Sequence, residues 1–188
     1  MSIIGNSTPR YTYGIDLGAD YHGFFFSAFF QGVGKMDWWP GAEADAFWGQ
    51  YNRPYDFLMQ SQVNNIWSTT NPNAYWPRYR GYVAQATNRE LYVPQIKYLQ
   101  NVAYIRLKSI QLGYNLPGGL ISKIHMNSAR LYVSGENLWT ASPLYKVTKD
   151  FDVENIGRSD VITTGSSSGN TNNYPILKSV TVGLAVTF

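Results

Sequence analysis

The sequence contains no cysteine, which excludes a disulfide framework and thiolate chemistry. It also lacks a long apolar run. The longest apolar cluster, from Phe24 to Phe30, is interrupted by Ser27, whereas a membrane-spanning helix needs roughly 18 consecutive apolar residues. Only helices and closed barrels satisfy their backbone groups in lipid. Any contact of this chain with a membrane interior is therefore expected through strands.

Charged residues are also scarce, at 14% of the chain with a formal net charge of +3. Lys and Arg are scattered and form no dense run, so a nucleic-acid partner is not expected. Met1 is followed by Ser2-Ile3-Ile4-Gly5-Asn6, which has neither the charged nor the apolar region of a signal peptide. An exported protein with this sequence would be a fragment or a truncated gene product.

Patterns that hold metals are incomplete. The acids Asp150, Asp152 and Glu154 have calcium-loop spacing, but Asn155 and Val161 stand where such a loop needs glycine and a further acid. A solvated acidic loop is the better interpretation. No metal site and no cofactor are therefore predicted.

Catalytic patterns are equally weak. His22 and His125 lie far apart in or near turns, without partner ligands. Asp16 and Asp20 share a strand face, yet paired acids are ordinary on a polar face and do not by themselves indicate a glycosidase. We do not expect an enzyme.

Aromatic residues are abundant, at 16% of the chain, with 15 Tyr, 6 Trp and 9 Phe. This share is typical of the aromatic girdles at a bilayer interface. It is equally typical of a sugar-binding surface, where flat rings stack on pyranose faces. Composition alone leaves both interpretations open.

Alternation of apolar and polar residues predicts an all-β fold, an antiparallel up-and-down meander. The strands are predicted at about 10–21, 24–34, 103–116, 129–140 and 174–188. Short turns alternate strictly with two long loops, 35–102 and 141–173, and short helical turns are expected within 42–59. The strands reach the roughly 9–11 residues that cross a bilayer, whereas soluble strands average about 5–6. A transmembrane β-barrel is the predicted architecture.

Two local features refine this prediction. The apolar phase of the third strand slips by one residue, which predicts a β-bulge near Lys108-Ser109 that keeps both apolar sets on one side. In the last strand one face is apolar and is predicted to meet lipid: Val180, Val182, Leu184, Val186 and Phe188. The residues between them are predicted to line the lumen: Ser179, Thr181, Gly183, Ala185 and Thr187.

Several segments resemble the SusC/RagA family of TonB-dependent transporters, in order and spacing over nearly the whole chain. They are Ile4–Tyr11, Phe29–Lys35, Asn71–Ala74, Pro77-Arg78, Tyr104–Lys108, Leu112–Pro117, Leu131–Leu138 and Val182–Phe188. The resemblance implies the last five strands of a barrel of about 22 strands. It also implies a multi-pass location in the Gram-negative outer membrane, with the plug domain and the TonB-contacting segment absent from this chain.

The resemblance further implies partners and sites. Both long loops are expected outside the cell, where they would meet a glycan or peptide ligand or a SusD-like surface lipoprotein that acts as a lid. The candidate contact residues are Trp38, Trp39, Trp48, Trp67, Trp76 and Arg78. For the Trp residues, packing of the loop onto itself or a place at the membrane interface is the favoured interpretation, because Trp buries well. The terminal Val182, Leu184, Val186 and Phe188 are expected to form a barrel-assembly signal, since such proteins commonly end in an aromatic residue.

The predicted function is therefore a share in TonB-linked import of oligosaccharides or other bulky nutrients across the outer membrane. Coupling to TonB would run through the missing N-terminal part. The alternative is a secreted, soluble β-sandwich that binds carbohydrate through its Trp-rich loop. The long strands and the terminal pattern favour the barrel.

Overall fold

The computed structural model describes residues 3–41, 44–121, 126–156 and 175–188. The chain forms two compact units. The first, here called the sheet unit, comprises Tyr11–Gly34, Ile105–Ala141 and Ile176–Phe188. The second, here called the loop unit, comprises Met1–Arg10, Lys35–Tyr104 and Ser142–Pro175.

The sheet unit is built on a five-stranded antiparallel meander, in which the strands of the sheet pair in the order in which they follow one another in the chain. Strands are numbered in order along the whole chain, and β3 and β4, whose bounds are given below, belong to the loop unit. The five strands are β1 (Thr12–Tyr21), β2 (Phe24–Val33), β5 (Tyr104–Asn115), β6 (Ser128–Ala141) and β7 (Ser179–Thr187). The predicted fold class is confirmed. Within the described ranges, no helix is long and apolar enough to cross a membrane.

The last strand starts later than predicted. Strand β7 begins at Ser179, whereas the alternation predicted a start at Tyr174, which lies outside the described residues. Pro175 has no backbone N–H to donate to a ladder, which disfavours pairing at this position. Residues 175–178 belong to no strand.

A two-residue turn at His22-Gly23 closes the hairpin of β1 and β2. Both residues have positive φ, 48° and 88°, as a type I′ turn requires, and the register brings Tyr21 opposite Phe24. The Gly23 carbonyl also accepts a hydrogen bond from the Asn115 amide at 2.7 Å. The predicted tight turn is thus present.

Strand register separates an apolar from a polar face. Across β6 and β7, Leu131 lies opposite Leu184 and Val133 opposite Val182. One residue further along, the polar set pairs in the same way, and the Ser179 hydroxyl lies 3.2 Å from the Glu136 carboxylate. Val180, Val182 and Leu184 are 68, 70 and 64% exposed, so the apolar face is uncovered in this chain.

Glycines on the polar face lie beneath aromatic rings. A Cβ on Gly183 would stand 2.3 Å from Tyr132, and one on Gly113 would stand 2.3 Å from Phe25. The alternation of β2 is weak because Phe25 lies on the otherwise polar face, and this contact gives the physical reason. The ring covers backbone that a glycine leaves bare on the neighbouring strand.

The predicted bulge is present, but its extra residue is on the other strand. The register shifts between Leu107 and Ser109, where Lys108 of β5 opposes both Asn137 and Leu138 of β6. Asn137 has a φ of 53°, which Asn tolerates better than most residues. Strand β5 gains no residue, so the prediction that its two apolar sets share one side is wrong. By strict alternation, Leu107 and Ile110 lie on opposite faces.

In its described residues, the loop unit contains only short elements. Strands β3 (Asp37–Trp38) and β4 (Gln100–Asn101) pair antiparallel. Helix α1 (Asp45–Trp48) continues into a 3-10 turn at Gly49–Tyr51, within the range where helical turns were expected. Further 3-10 turns lie at Gln60–Gln62, Pro143–Lys146 and Val153–Asn155, and helix α2 (Gly118–Ile121) belongs to the sheet unit.

We expect Leu184→Arg to reduce assembly of the intact protein and Thr181→Arg to be milder. A charge on a lipid face near mid-membrane costs about 2–4 kcal/mol, and far less on a lumen face. Heat-modifiable gel mobility of membrane fractions measures the folded yield of each variant. Equal yields would show that the two faces have been assigned wrongly.

We also expect Gly183→Ala to destabilise the sheet by about 1–3 kcal/mol, because the new methyl group meets the Tyr132 ring. Adding Tyr132→Ala in the same protein should restore part of the loss. Gly118→Ala is the matched control, since its Cβ meets no described atom within 4 Å. The measurement is the urea concentration at which half of the folded gel band is lost. Equal midpoints for Gly183→Ala and Gly118→Ala would contradict the expectation.

Candidate functional site

Aromatic side chains form the core of the loop unit. Phe47, Trp48 and Trp76 are fully buried, and their rings meet edge to face with centroids 4.9–5.9 Å apart. Trp76 also stacks on Tyr51 and on Tyr98 with an interplanar angle of 16° in both pairs. Such pairs add about 0.5–1.5 kcal/mol beyond burial of their area.

Polar atoms fix these rings in place. The Trp48 indole N–H donates to the Pro40 carbonyl at 2.7 Å, and the Trp76 indole N–H donates to the Ser61 carbonyl at 3.2 Å. The buried Gln62 amide donates to the Trp48 carbonyl at 2.9 Å, where helix α1 passes into the 3-10 turn. Each bond satisfies a group that burial would otherwise leave unpaired.

The six predicted contact residues therefore fall into different environments. Trp38, Trp48 and Trp76 are buried in the core, and Trp39 is half-buried against Trp48 with ring centroids 5.9 Å apart. Trp67, which is 37% exposed, and Arg78 reach the surface. A ligand or a lid protein would meet these two side chains directly, whereas the buried rings would act through the shape of the unit. Ligand binding by these residues stays a prediction.

Arg78 lines a cavity of about 100 Å³ in the loop unit. Most of the wall consists of aromatic and charged side chains. The lining comprises Tyr51, Pro77, Arg78, Tyr79, Arg80, Tyr82, Ala84, Glu90 and Leu91. This cavity is the candidate site, because it combines flat apolar rings with charged groups that could orient a ligand.

Charged groups at the cavity are arranged around Glu90. The Arg80 guanidinium lies 3.1 Å from the Glu90 carboxylate, and the Tyr82 hydroxyl donates a short hydrogen bond to the same oxygen. This bond from Tyr82, with smaller help from a backbone hydrogen bond and the positive charges of Arg80 and Arg89, lowers the pKa of the Glu90 carboxyl. Glu90 therefore stays ionised at neutral pH and holds Arg80.

The buried tyrosines remain protonated hydrogen-bond donors. Burial raises the pKa of Tyr98 to about 12 and also raises that of Tyr51. The Tyr51 hydroxyl donates to the Pro77 carbonyl at 2.6 Å, and the Tyr79 hydroxyl donates to the Pro54 carbonyl at 3.1 Å. Neither Tyr51 nor Tyr98 is poised as a base.

Sequence reasoning selected Arg78 but missed the tyrosines and the Arg80–Glu90 pair. A signal was available in Arg78-Tyr79-Arg80-Gly81-Tyr82, where basic and aromatic residues alternate. Glu90 carried no such signal, because only the folded chain brings it to Arg80 and Tyr82.

The acids of 150–154 hold the local backbone. The Asp152 carboxylate accepts a hydrogen bond from the Glu154 amide at 2.9 Å and so caps a 3-10 turn, and Asp150 bonds the Thr148 hydroxyl at 2.8 Å. No group of three or more potential metal ligands occurs among the described residues. His22 is a turn residue, and His125 lies outside the described part of the chain.

Two curated relatives from Formosa agariphila match this chain. TonB-dependent receptor P3 is 31% identical over 190 residues, and TonB-dependent receptor P26 is 27% identical over 188 residues. Both matches cover 99% of the chain but only 17% and 18% of the relatives, so the chain spans less than a fifth of their length. No protein-family model matches.

Solved structures also match nearly the whole chain and only a small part of a longer protein. The RagAB peptide importer in its open-open state matches 99% of this chain and 18% of its own, with a TM-score of 0.63 and 25% identity. The RagAB peptide transporter matches with a TM-score of 0.66 at 24% identity, which supports the fold alone.

Packing of the loop unit predicts a contrast between two tryptophans. We expect Trp76→Ala to cost about 3–5 kcal/mol, because it leaves a cavity among stacked rings, and Trp67→Ala to cost less than about 1 kcal/mol. The measurement is protease cleavage within 35–102 of the intact protein at increasing urea concentration. The urea concentration at which cleavage begins reports the stability of the loop unit. Trp76→Phe should fall between the two, and equal resistance of Trp76→Ala and Trp67→Ala would contradict the assignment.

Proposed function

The chain belongs to the SusC/RagA type of TonB-dependent receptors, which are outer-membrane β-barrel proteins, and on that premise we propose that it forms part of a nutrient importer. In this proposal the sheet unit supplies the closing, C-terminal strands of the barrel. The observation that carries it is the exposed apolar face of β7 in register with that of β6. Lipid is the solvent that such a face requires.

Oligosaccharides are the favoured cargo, and peptides are the second candidate. Exposed aromatic side chains of the loop unit, among them Trp67, Tyr55 and Tyr92, favour saccharides because flat rings stack on sugars. The likeness to a peptide importer favours peptides. The cavity at Arg78 suits a polar end group of either cargo, and we propose no catalytic step.

We propose two protein partners. A SusD-like lipoprotein would close over the loops, and the exposed run of Tyr55, Phe57 and Leu58 is suited to such a contact. TonB would supply energy through a part of the receptor outside this chain. Lys and Arg remain scattered, and we propose no contact with nucleic acid.

The rival function, a soluble β-sandwich that binds carbohydrate, is less well supported. A sandwich buries one face of each sheet. Strand β1 is exposed along all ten residues, and β7 exposes Val180, Val182 and Leu184.

Uptake by cells tests the proposal. Deleting the gene of the full-length receptor should abolish energy-dependent uptake of a labelled cargo oligosaccharide, and inactivating TonB should have the same effect, because transport needs both. A panel of labelled oligosaccharides and peptides identifies the cargo. Unchanged uptake of every member after deletion, or recovery of the receptor in the soluble fraction, would refute the proposal.

A further inference from the structure

One of the two guanidinium groups that line the cavity of the loop unit forms no ion pair with a described acid. Arg80 is held by Glu90, whose carboxylate also accepts the Tyr82 hydroxyl. Arg78 is exposed at the cavity, and no ion pair joins it to an acid in the described part of the chain. The cavity wall therefore carries a net positive charge.

A second guanidinium strengthens this field. The Arg89 guanidinium carbon lies 4.8 Å from the centre of the Tyr82 ring, on which it stacks as a cation. The segment 78–97 contains Arg78, Arg80, Arg89 and Lys97 against the single acid Glu90. An anionic group that enters the cavity would meet attraction from most of its charged neighbours.

The aromatic walls are held before any ligand binds. Tyr51 is fixed by its hydrogen bond to Pro77 and by stacking on Trp76, and Tyr79 is fixed by its bond to Pro54. Tyr51 and Tyr79 meet edge to face with ring centroids 6.0 Å apart. Rigid walls reduce the entropy that a ligand must remove on binding.

We propose that this cavity binds a carboxylate carried by the transported nutrient, with Arg78 as its counter-ion. The planar fork of a guanidinium matches a carboxylate through two parallel hydrogen bonds. A cavity of about 100 Å³ has room for a carboxylate end group. The inference rests on the proposed import function and specifies the chemistry of its cargo.

Two pairs of probes separate the sources of a carboxylate. Glucuronate against glucose tests an acidic sugar, and N-acetylalanine against its amide tests a peptide end. Each is titrated into the purified full-length receptor by isothermal calorimetry or by saturation-transfer NMR. In at least one pair the acid should bind at least about tenfold more tightly than its neutral partner, since a charge-assisted pair contributes about 1.4 kcal/mol or more. The pair that discriminates identifies the source.

Variants tie the binding to Arg78. Arg78→Gln should abolish the discrimination, and Arg78→Lys should keep part of it, because lysine retains the charge without the fork. Lys149→Gln is the matched control, since it removes an exposed positive charge of the same unit that does not line the cavity. It should change the dissociation constant by less than about twofold. Protease resistance of 35–102 checks that each variant is folded.

Equal binding of acid and neutral probes in both pairs would overturn the carboxylate site. So would discrimination that survives Arg78→Gln or that disappears equally in Lys149→Gln. Either result can occur while the uptake assay still reports import, so failure of this inference is distinguishable from failure of the proposed function.

Discussion

A backbone amide that loses water must find a partner in the protein, and the sheet unit depends on this constraint. In a barrel each strand satisfies its neighbours, and the side chains are then free to divide between lipid and lumen. The meander of β1, β2, β5, β6 and β7 fits this division. Facing lipid, as proposed, its apolar face would need no covering layer from the protein itself, and large aliphatic side chains such as Val182 are exposed in this chain.

The same constraint explains the irregularities on the polar face. Glycine leaves backbone bare, and the rings of Tyr132 and Phe25 cover it at Gly183 and Gly113. The bulge at Asn137, a residue with positive φ, shifts the register between β5 and β6 by one residue, and pairing resumes at Trp139.

The loop unit meets a different constraint, because it has little regular structure to satisfy its backbone. Its stability comes from buried aromatic rings. Indole and side-chain amide groups donate hydrogen bonds to carbonyls that the short turns leave free, as the Trp48 indole does to Pro40. This core combines Trp38, Trp48 and Trp76 with Tyr51 and Tyr98, and Tyr51 also lines the cavity. One residue type therefore serves both the core and the cavity wall.

The sequence by itself determined the strands, their neighbours, the short turn at His22-Gly23 and the existence of the register shift, because alternation with period two and turn chemistry are local. It did not determine which strand carries the extra residue of the bulge, since pairing depends on β6 as well as β5. It also left the tryptophans of 35–102 open between packing and contact. Only the tertiary structure placed Trp76 at the centre and brought Glu90 to Arg80 and Tyr82. Burial and ion pairing depend on residues distant in the chain, and no local period records them.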